Sequence, residues 1–437
     1  MTAPHLQVAR FASAASRSGR NAHGDVDHAG LQRAAADLLR ALDASAGELA
    51  LAARREQTMN RLRALHDAGV SIWLDTLSRE LLDRGTFAAL IADSAVTGAT
   101  SNPTIFAKAI TGSDRYDDQL RAAASRQRDP QQLFFELALD DVGRAADLLL
   151  PAHQASNGRD GFVSFECTPD VADDTEATIA QALMLWSRLA RRNVMIKVPA
   201  TDAGIPAIEE LTARGVNVNV TLLFSVARYE QVIDAYVAGL ERRVRDGLSI
   251  EAIASVASFF VSRIDAKVDA RLPADSPLRG RVAIANAQRA YAVYRERFSD
   301  ERWRALLGAG GCPQRPLWAS TGTKNPAYSD VLYVEQLIAT DVINTMPEAT
   351  LRAFAEHGTV GDALSADATE AEGLLRDARD AGIDLDAITA ELERAGVRSF
   401  CDSYRELLVS IETLVEFEAI AARHPVIRVG ADPSQPE

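Results

Sequence analysis

The residue with the most distinctive chemical potential is Lys197, centred in the run Asn193-Val194-Met195-Ile196-Lys197-Val198-Pro199-Ala200-Thr201. Val194, Met195, Ile196 and Val198 read as a short buried strand that Pro199 ends. An ammonium inside such a strand is costly unless it is paired or gives up its proton, and a neutral lysine is a nucleophile for carbonyls. Lys108, Lys197, Lys267 and Lys324 are the only lysines of the chain, so arginine, which stays protonated and forms no Schiff base, carries nearly all the positive charge. From this strand alone, an ammonium whose head reaches water or a carboxylate explains Lys197 at least as well as covalent chemistry does.

Other chemically capable residues fall at the ends of apolar runs. Asp75 ends Val70–Asp75, and Ser101 and Asn102 follow Ala95–Thr100. Glu166 lies near the end of Gly161–Cys167, and Asn219 and Thr221 lie in Val216–Leu223. Ser258 and Arg263 lie in and after Ser255–Val261, and Ser320 and Lys324 lie at and beyond the end of Arg315–Thr321. Two carboxylates, a lysine and several neutral hydrogen-bonding groups are what imine chemistry on a hydroxylated carbonyl compound needs. The lysine attacks the ketone, one carboxylate with a water shuttles protons during dehydration, and the second removes a hydroxyl proton as a carbon–carbon bond breaks. Each residue also has a structural reading: Asp75 as a helix cap, Glu166 as an ion-pair partner, Asn102 before Pro103 as a turn residue.

The elements that must position these groups alternate. Eight strand-like runs separated by helical periodicity between Val70 and Asn344, the eighth placed at Ala339–Asn344, favour a (β/α)8 TIM barrel, whose active site lies at the C-terminal ends of the strands. No GxGxxG or P-loop follows any strand, which weakens an open nucleotide-binding sheet. Residues 1–28 lack a sustained apolar period and are expected to form a disordered tail, and residues 29–66 a helical N-terminal extension. Residues 67–437 are expected to form the barrel with additional C-terminal helices over 350–430. These are expected at Ala366–Ala381, Leu385–Ala395 and Arg398–Ala421, with breaks at Gly382 and Gly396. The last, apolar along Phe400, Tyr404, Leu407, Leu408, Ile411, Leu414 and Val415, is expected to close over the barrel or to meet a second copy in a homodimer.

The totals narrow the function classes. With 47% hydrophobic and 25% charged residues the composition is that of a globular protein, and a net charge of −14 argues against general affinity for nucleic acid or anionic membrane. Three scattered cysteines, Cys167, Cys312 and Cys401, show no zinc-type spacing and suit a reducing, cytoplasmic setting. No apolar run reaches membrane-spanning length.

Six ordered segments then resemble the transaldolase family: Trp73-Leu74-Asp75-Thr76, Thr100-Ser101-Asn102-Pro103-Thr104, Val163-Ser164-Phe165-Glu166, Met195–Thr201, Asn217–Ser225 and Ser258–Arg263. The resemblance spans about Val70 to Pro347 and leaves Met1 to about Met59 outside it. It implies a class I aldolase barrel that moves a dihydroxyacetone unit from sedoheptulose 7-phosphate to glyceraldehyde 3-phosphate, without metal or organic cofactor. It also implies Lys197 as Schiff-base lysine, Asp75 as acid/base at the substrate hydroxyl, and Glu166 with a water held by Thr221 for dehydration and hydration. Asn102 and Asn219 would hold hydroxyls with Ser258 beside them, and Arg263 would bind phosphate. The family's usual Ala-Ser-Phe-Arg after strand seven is replaced by Ala319-Ser320-Thr321-Gly322-Thr323-Lys324-Asn325, as in longer bacterial members. There Lys324 would supply the second phosphate charge as a point charge rather than a bidentate fork.

Overall fold

The computed structural model describes Thr58, residues 60–124 and residues 129–423. The expectations for residues 1–28, for 29–57 and for the final residues lie outside the described residues. Residues 60–66 are helical as expected, and Leu62 and Leu65 are buried.

Eight parallel strands close a barrel in sequence order, each hydrogen-bonded to the next and the eighth to the first. They are β1 (Val70–Leu74), β2 (Val96–Thr100), β3 (Val163–Glu166), β4 (Val194–Pro199), β5 (Val218–Leu223), β6 (Ser255–Phe260), β7 (Arg315–Ala319) and β8 (Val342–Met346). Helices cover the outside, which explains why the strands read as near-continuous apolar runs: both faces are buried. Gly98 is required in β2 because a Cβ there would collide with the Trp73 indole of β1. Among the described residues no helix is long and apolar enough to cross a membrane.

Two expectations are corrected. The eighth strand begins at Val342 rather than Ala339. Asp341, with φ of 61°, makes a left-handed turn before it, and the polar Thr345 with Met346 continues the strand opposite Trp73 and Leu74. Sequence polarity hid this end because Thr345 points toward the site rather than into an apolar layer. Secondly, the two helices expected around Gly396 are one, Leu385–Arg423. Gly396 does not break it; a Cβ at that position would stand 2.8 Å from Leu222 Cδ2, so the residue is small to let helix and barrel approach.

This long helix lies across the end of the barrel where the strands finish, tied to the segments that follow four of them. Thr104 Oγ1 after β2 donates to Ser403 Oγ at 2.8 Å, and Cys401 Sγ lies 3.5 Å from the Pro169 carbonyl after β3. Arg228 Nε after β5 pairs with Glu393 at 3.4 Å, and Lys267 Nζ after β6 pairs with Glu391 at 2.6 Å. The expectation that the helix closes over the barrel is the observed arrangement.

Candidate active site

Register sets the heart of the site. In the parallel ladder Glu166 of β3 stands opposite Lys197 of β4, which stands opposite Asn219 of β5, so three polar side chains enter the barrel at one level. Pro199 opposite Thr221 forms the next level toward the mouth. Lys197 is 5% exposed; its Nζ donates to the Ser101 carbonyl at 3.0 Å and lies 3.1 Å from Glu166 Oε2. The contact with Glu166 is an ion pair lacking the alignment of a hydrogen bond, and Oε2 has no hydrogen-bond partner within the described protein. Burial pushes the Glu166 carboxyl above its usual range, the Lys197 charge opposes that shift, and Asp75 adds to it.

Asp75 sits at the C-terminal end of β1, its backbone N–H held by the Met346 carbonyl at 2.7 Å and its Oδ1 accepting from Thr100 Oγ1 at 2.9 Å. Burial raises its carboxyl, against the fields of Lys197, Arg263 and Lys324 and the Thr100 hydrogen bond. The site therefore holds two carboxyls raised chiefly by desolvation, both within the field of one lysine, the disposition that acid/base catalysis near neutrality uses.

Asp75, Thr100, Asn102, Lys197, Thr221, Ser258, Phe260, Arg263, Ser320 and Lys324 converge on one cavity of about 140 Å³, closed by Thr345, Pro347 and Phe400. Asn102, whose structural reading was that of a turn residue, is a helix cap: its Oδ1 accepts from Ile105 N at 3.0 Å at the start of helix Pro103–Thr111, which leaves Nδ2 as a donor for the cavity. Ser258 Oγ donates to Asn219 Oδ1 at 2.7 Å, and Asn219 Nδ2 donates to Ser164 Oγ at 2.9 Å. Asn219, fully buried, thus stands behind Ser258 rather than on the cavity wall. Glu166 likewise lies beside Lys197 and off that wall. Thr221 Oγ1 is buried without a hydrogen-bond partner among the described residues.

Two cations face the other side. Arg263 lies over the Phe260 ring at 5.3 Å, and neither it nor Lys324 has an ion-pair partner among the described residues. Burial lowers the Arg263 guanidinium from its ordinary value against the pull of Asp75; burial and then repulsion from Arg263 lower Lys324. Two desolvated cations that repel each other and lack carboxylate partners suit an incoming phosphate. Ser320 holds the turn that leads to Lys324, with φ of 57° and its Oγ 3.0 Å from Ser262 Oγ beside Arg263.

Sequence reasoning missed Phe400, Thr100 and Thr345 as site residues. Phe400 was visible only as one member of an apolar helix face, and Thr100 and Thr345, whose hydroxyls meet at 2.6 Å beside Asp75, as strand residues. A larger cavity of about 680 Å³ lies between the helices Val226–Arg245 and Thr369–Asp380, lined by Glu230, Arg289, Arg379 and Asp384. It contains no buried charged group and is poorly suited to the chemistry that Lys197 can do.

The sequence profile of the family described as transaldolase/fructose-6-phosphate aldolase matches residues 72–411. The chain is 51% identical to a transaldolase of Saccharopolyspora erythraea over 358 residues, covering 81% of this chain and 97% of that one. It is 48% identical to a transaldolase of Acidothermus cellulolyticus over 360 residues, 81% and 97% of the two chains. To a transaldolase of Thermobifida fusca it is 48% identical over 353 residues, 79% and 96%.

Proposed function

The chain belongs to the transaldolase/fructose-6-phosphate aldolase family, and from that premise we propose that Lys197 is its Schiff-base lysine and Asp75 and Glu166 its proton-transfer groups. It is a transferase that reversibly moves a dihydroxyacetone unit from sedoheptulose 7-phosphate to glyceraldehyde 3-phosphate, giving erythrose 4-phosphate and fructose 6-phosphate, a reaction of the pentose phosphate pathway. The observation that supports these residue roles best is the buried Lys197–Glu166 pair at one ladder level, with Asp75 lining the same cavity as two cations that have no ion-pair partner among the described residues.

In the proposed sequence Lys197 passes its proton to Glu166, 3.1 Å away, and the freed amine adds to the ketone carbon. Glu166, with a water held by Thr221 Oγ1, delivers the proton that lets the carbinolamine hydroxyl leave as water. Asp75 then takes the proton of the hydroxyl on the far carbon of the bond to be cleaved, so that this carbon becomes the aldehyde carbon of the departing aldose. That bond's electron pair moves toward the iminium nitrogen, the aldose departs and an enamine remains. Addition of the acceptor aldehyde and hydrolysis reverse these steps.

Asn102 Nδ2 and Ser258 Oγ hold the hydroxyls of the three-carbon unit. Asn219, accepting the Ser258 proton, turns that oxygen's lone pairs to the cavity. Arg263 and Lys324 bind the phosphate, with Ser320 shaping the turn between them. We place the enzyme in the cytoplasm, with a second copy of the chain as its partner, which a sedimentation mass twice the monomer's would test. The competing reading is a lyase that cleaves fructose 6-phosphate and releases free dihydroxyacetone. Product analysis with and without erythrose 4-phosphate decides between them: acceptor-dependent sedoheptulose 7-phosphate is expected, and equal turnover without acceptor would favour the lyase.

A further inference from the structure

The β5 ladder changes its step at Thr221. Val220 pairs with Ala257 and Leu223 with Phe259, so β5 takes three residues where β6 takes two. The extra residue is accommodated at Leu222, whose φ of 58° lies in the left-handed region that a leucine rarely adopts. Such a bulge beside an active site re-aims the neighbouring side chain, and strain of this kind persists only where surrounding structure over-determines it. Here the neighbour is Thr221, whose hydroxyl is buried and meets no hydrogen-bond partner among the described residues.

What surrounds Leu222 is the C-terminal helix. Leu222 is fully buried, and Gly396 lies so close that a Cβ would stand 2.8 Å from its Cδ2 and 3.4 Å from its Cδ1. One helical turn on, at the spacing that shares a face, Phe400 closes the cavity that Thr221 lines. A further turn on, Tyr404 packs its ring on Phe134 and accepts from Gln131. Gly396, Phe400 and Tyr404 thus form one stripe laid against the mouth.

We propose that Gly396 and the left-handed Leu222 are positioning residues for Thr221: the helix Leu385–Arg423, through the close approach that Gly396 permits, locks the β5 bulge that turns the Thr221 hydroxyl into the cavity. The proposal rests on the role given above to Thr221 in holding the water of the dehydration step. It makes an element outside the barrel's alternating strands and helices responsible for the aim of a proton-transfer group. It also explains why a helix of this length keeps a glycine in its interior, where alanine is intrinsically favoured.

The test is single-turnover imine formation on fructose 6-phosphate, quenched with borohydride, in wild type, Thr221→Ala, Gly396→Ala, Gly396→Val and Leu222→Ala/Gly396→Val. Inorganic-phosphate binding and thermal unfolding are read on each. Gly396→Val is expected to slow imine formation at least tenfold, and Gly396→Ala less, with phosphate binding within about twofold of wild type. Removing the leucine side chain in the double variant is expected to recover most of the rate. A merely structural glycine would lower thermal stability without rate-specific loss or rescue. A Gly396→Val enzyme of normal rate beside a slow Thr221→Ala enzyme overturns the inference, as does a slow Gly396→Val enzyme that Leu222→Ala does not rescue. A Thr221→Ala enzyme of normal rate instead overturns the role given to Thr221 itself.

Discussion

Glu166→Gln separates the two functions of the buried pair most cleanly. The substitution keeps shape and removes charge where Oε2 lies 3.1 Å from Lys197 Nζ, with both side chains almost wholly buried. At an effective dielectric constant of about 20, two unit charges at that separation attract by about 5 kcal/mol. Breaking a buried pair by neutralising one member costs about 3–5 kcal/mol. Spread over a domain of this size, that is a lowering of the thermal midpoint on the order of 5 °C. The catalytic effect is separate: loss of a positioned acid/base group costs about 10²–10⁴ in rate, or about 3–5 kcal/mol at the dehydration step. The phosphate side of the cavity, built by Arg263 and Lys324, is not touched by the change. Rapid-quench borohydride trapping with fructose 6-phosphate reads imine formation, and calorimetric titration with inorganic phosphate reads the anion site. The expected result is slow trapping with phosphate affinity within about twofold of wild type. Normal trapping with weakened phosphate binding would refute the reasoning.

Arg263→Ala and Lys324→Ala should each raise the KM for fructose 6-phosphate by about 10–100-fold, since a hydrogen bond to a charged group contributes about 1.5–3 kcal/mol. Trapping with unphosphorylated dihydroxyacetone should be unchanged; an equal loss with both ketones would contradict the assignment. Asn102→Asp should keep the cap on helix Pro103–Thr111 and hence the thermal midpoint, while lowering kcat/KM at least tenfold through loss of the Nδ2 donor. Asn102→Ala should lose about 1 kcal/mol of stability as well, and an Asp variant of full activity would leave Asn102 a cap only. Asp265, which accepts from Ala283 N and Tyr333 OH, has its carboxyl raised by burial to about 7 from an ordinary 3.8. Between those values the folded protein holds a proton that the unfolded chain has lost, so stability falls as pH rises through that window. Asp265→Asn should remove that slope, gaining up to about 4 kcal/mol relative to wild type between pH 4 and pH 8 in paired denaturant titrations. A pH-independent difference would refute it.

The barrel was legible because strands buried on both faces carry their signal locally: Val194-Met195-Ile196 is apolar whichever way it points, and Val218, Val220, Leu222 and Leu223 keep β5 mostly apolar around Asn219 and Thr221. The polar strand-end residues could be found without a family, since the C-terminal ends of barrel strands are where chemistry collects. What escaped were features set by distant partners. Thr345 ends β8 as a polar residue because Thr100 and Asp75 lie opposite it, and an apolar-run criterion stops short of it. Gly396 looks like a helix stop because glycine often is one, and only Leu222, far away in the chain, shows that it is a contact. Phe400 is indistinguishable from core until the helix is laid over the mouth. Asn219, to which the resemblance gives a hold on substrate hydroxyls, lies behind Ser258, because strand alternation gives the face a residue occupies but not its depth.

The central claim is that Lys197, buried against Glu166 and Ser101, forms the covalent bond to substrate. Incubation with fructose 6-phosphate and borohydride, followed by proteolysis and mass spectrometry, should place one reduced sugar adduct on the peptide containing Lys197 and none in Lys197→Ala. An adduct that maps to Lys108, Lys267 or Lys324, or one that persists in Lys197→Ala, would contradict it.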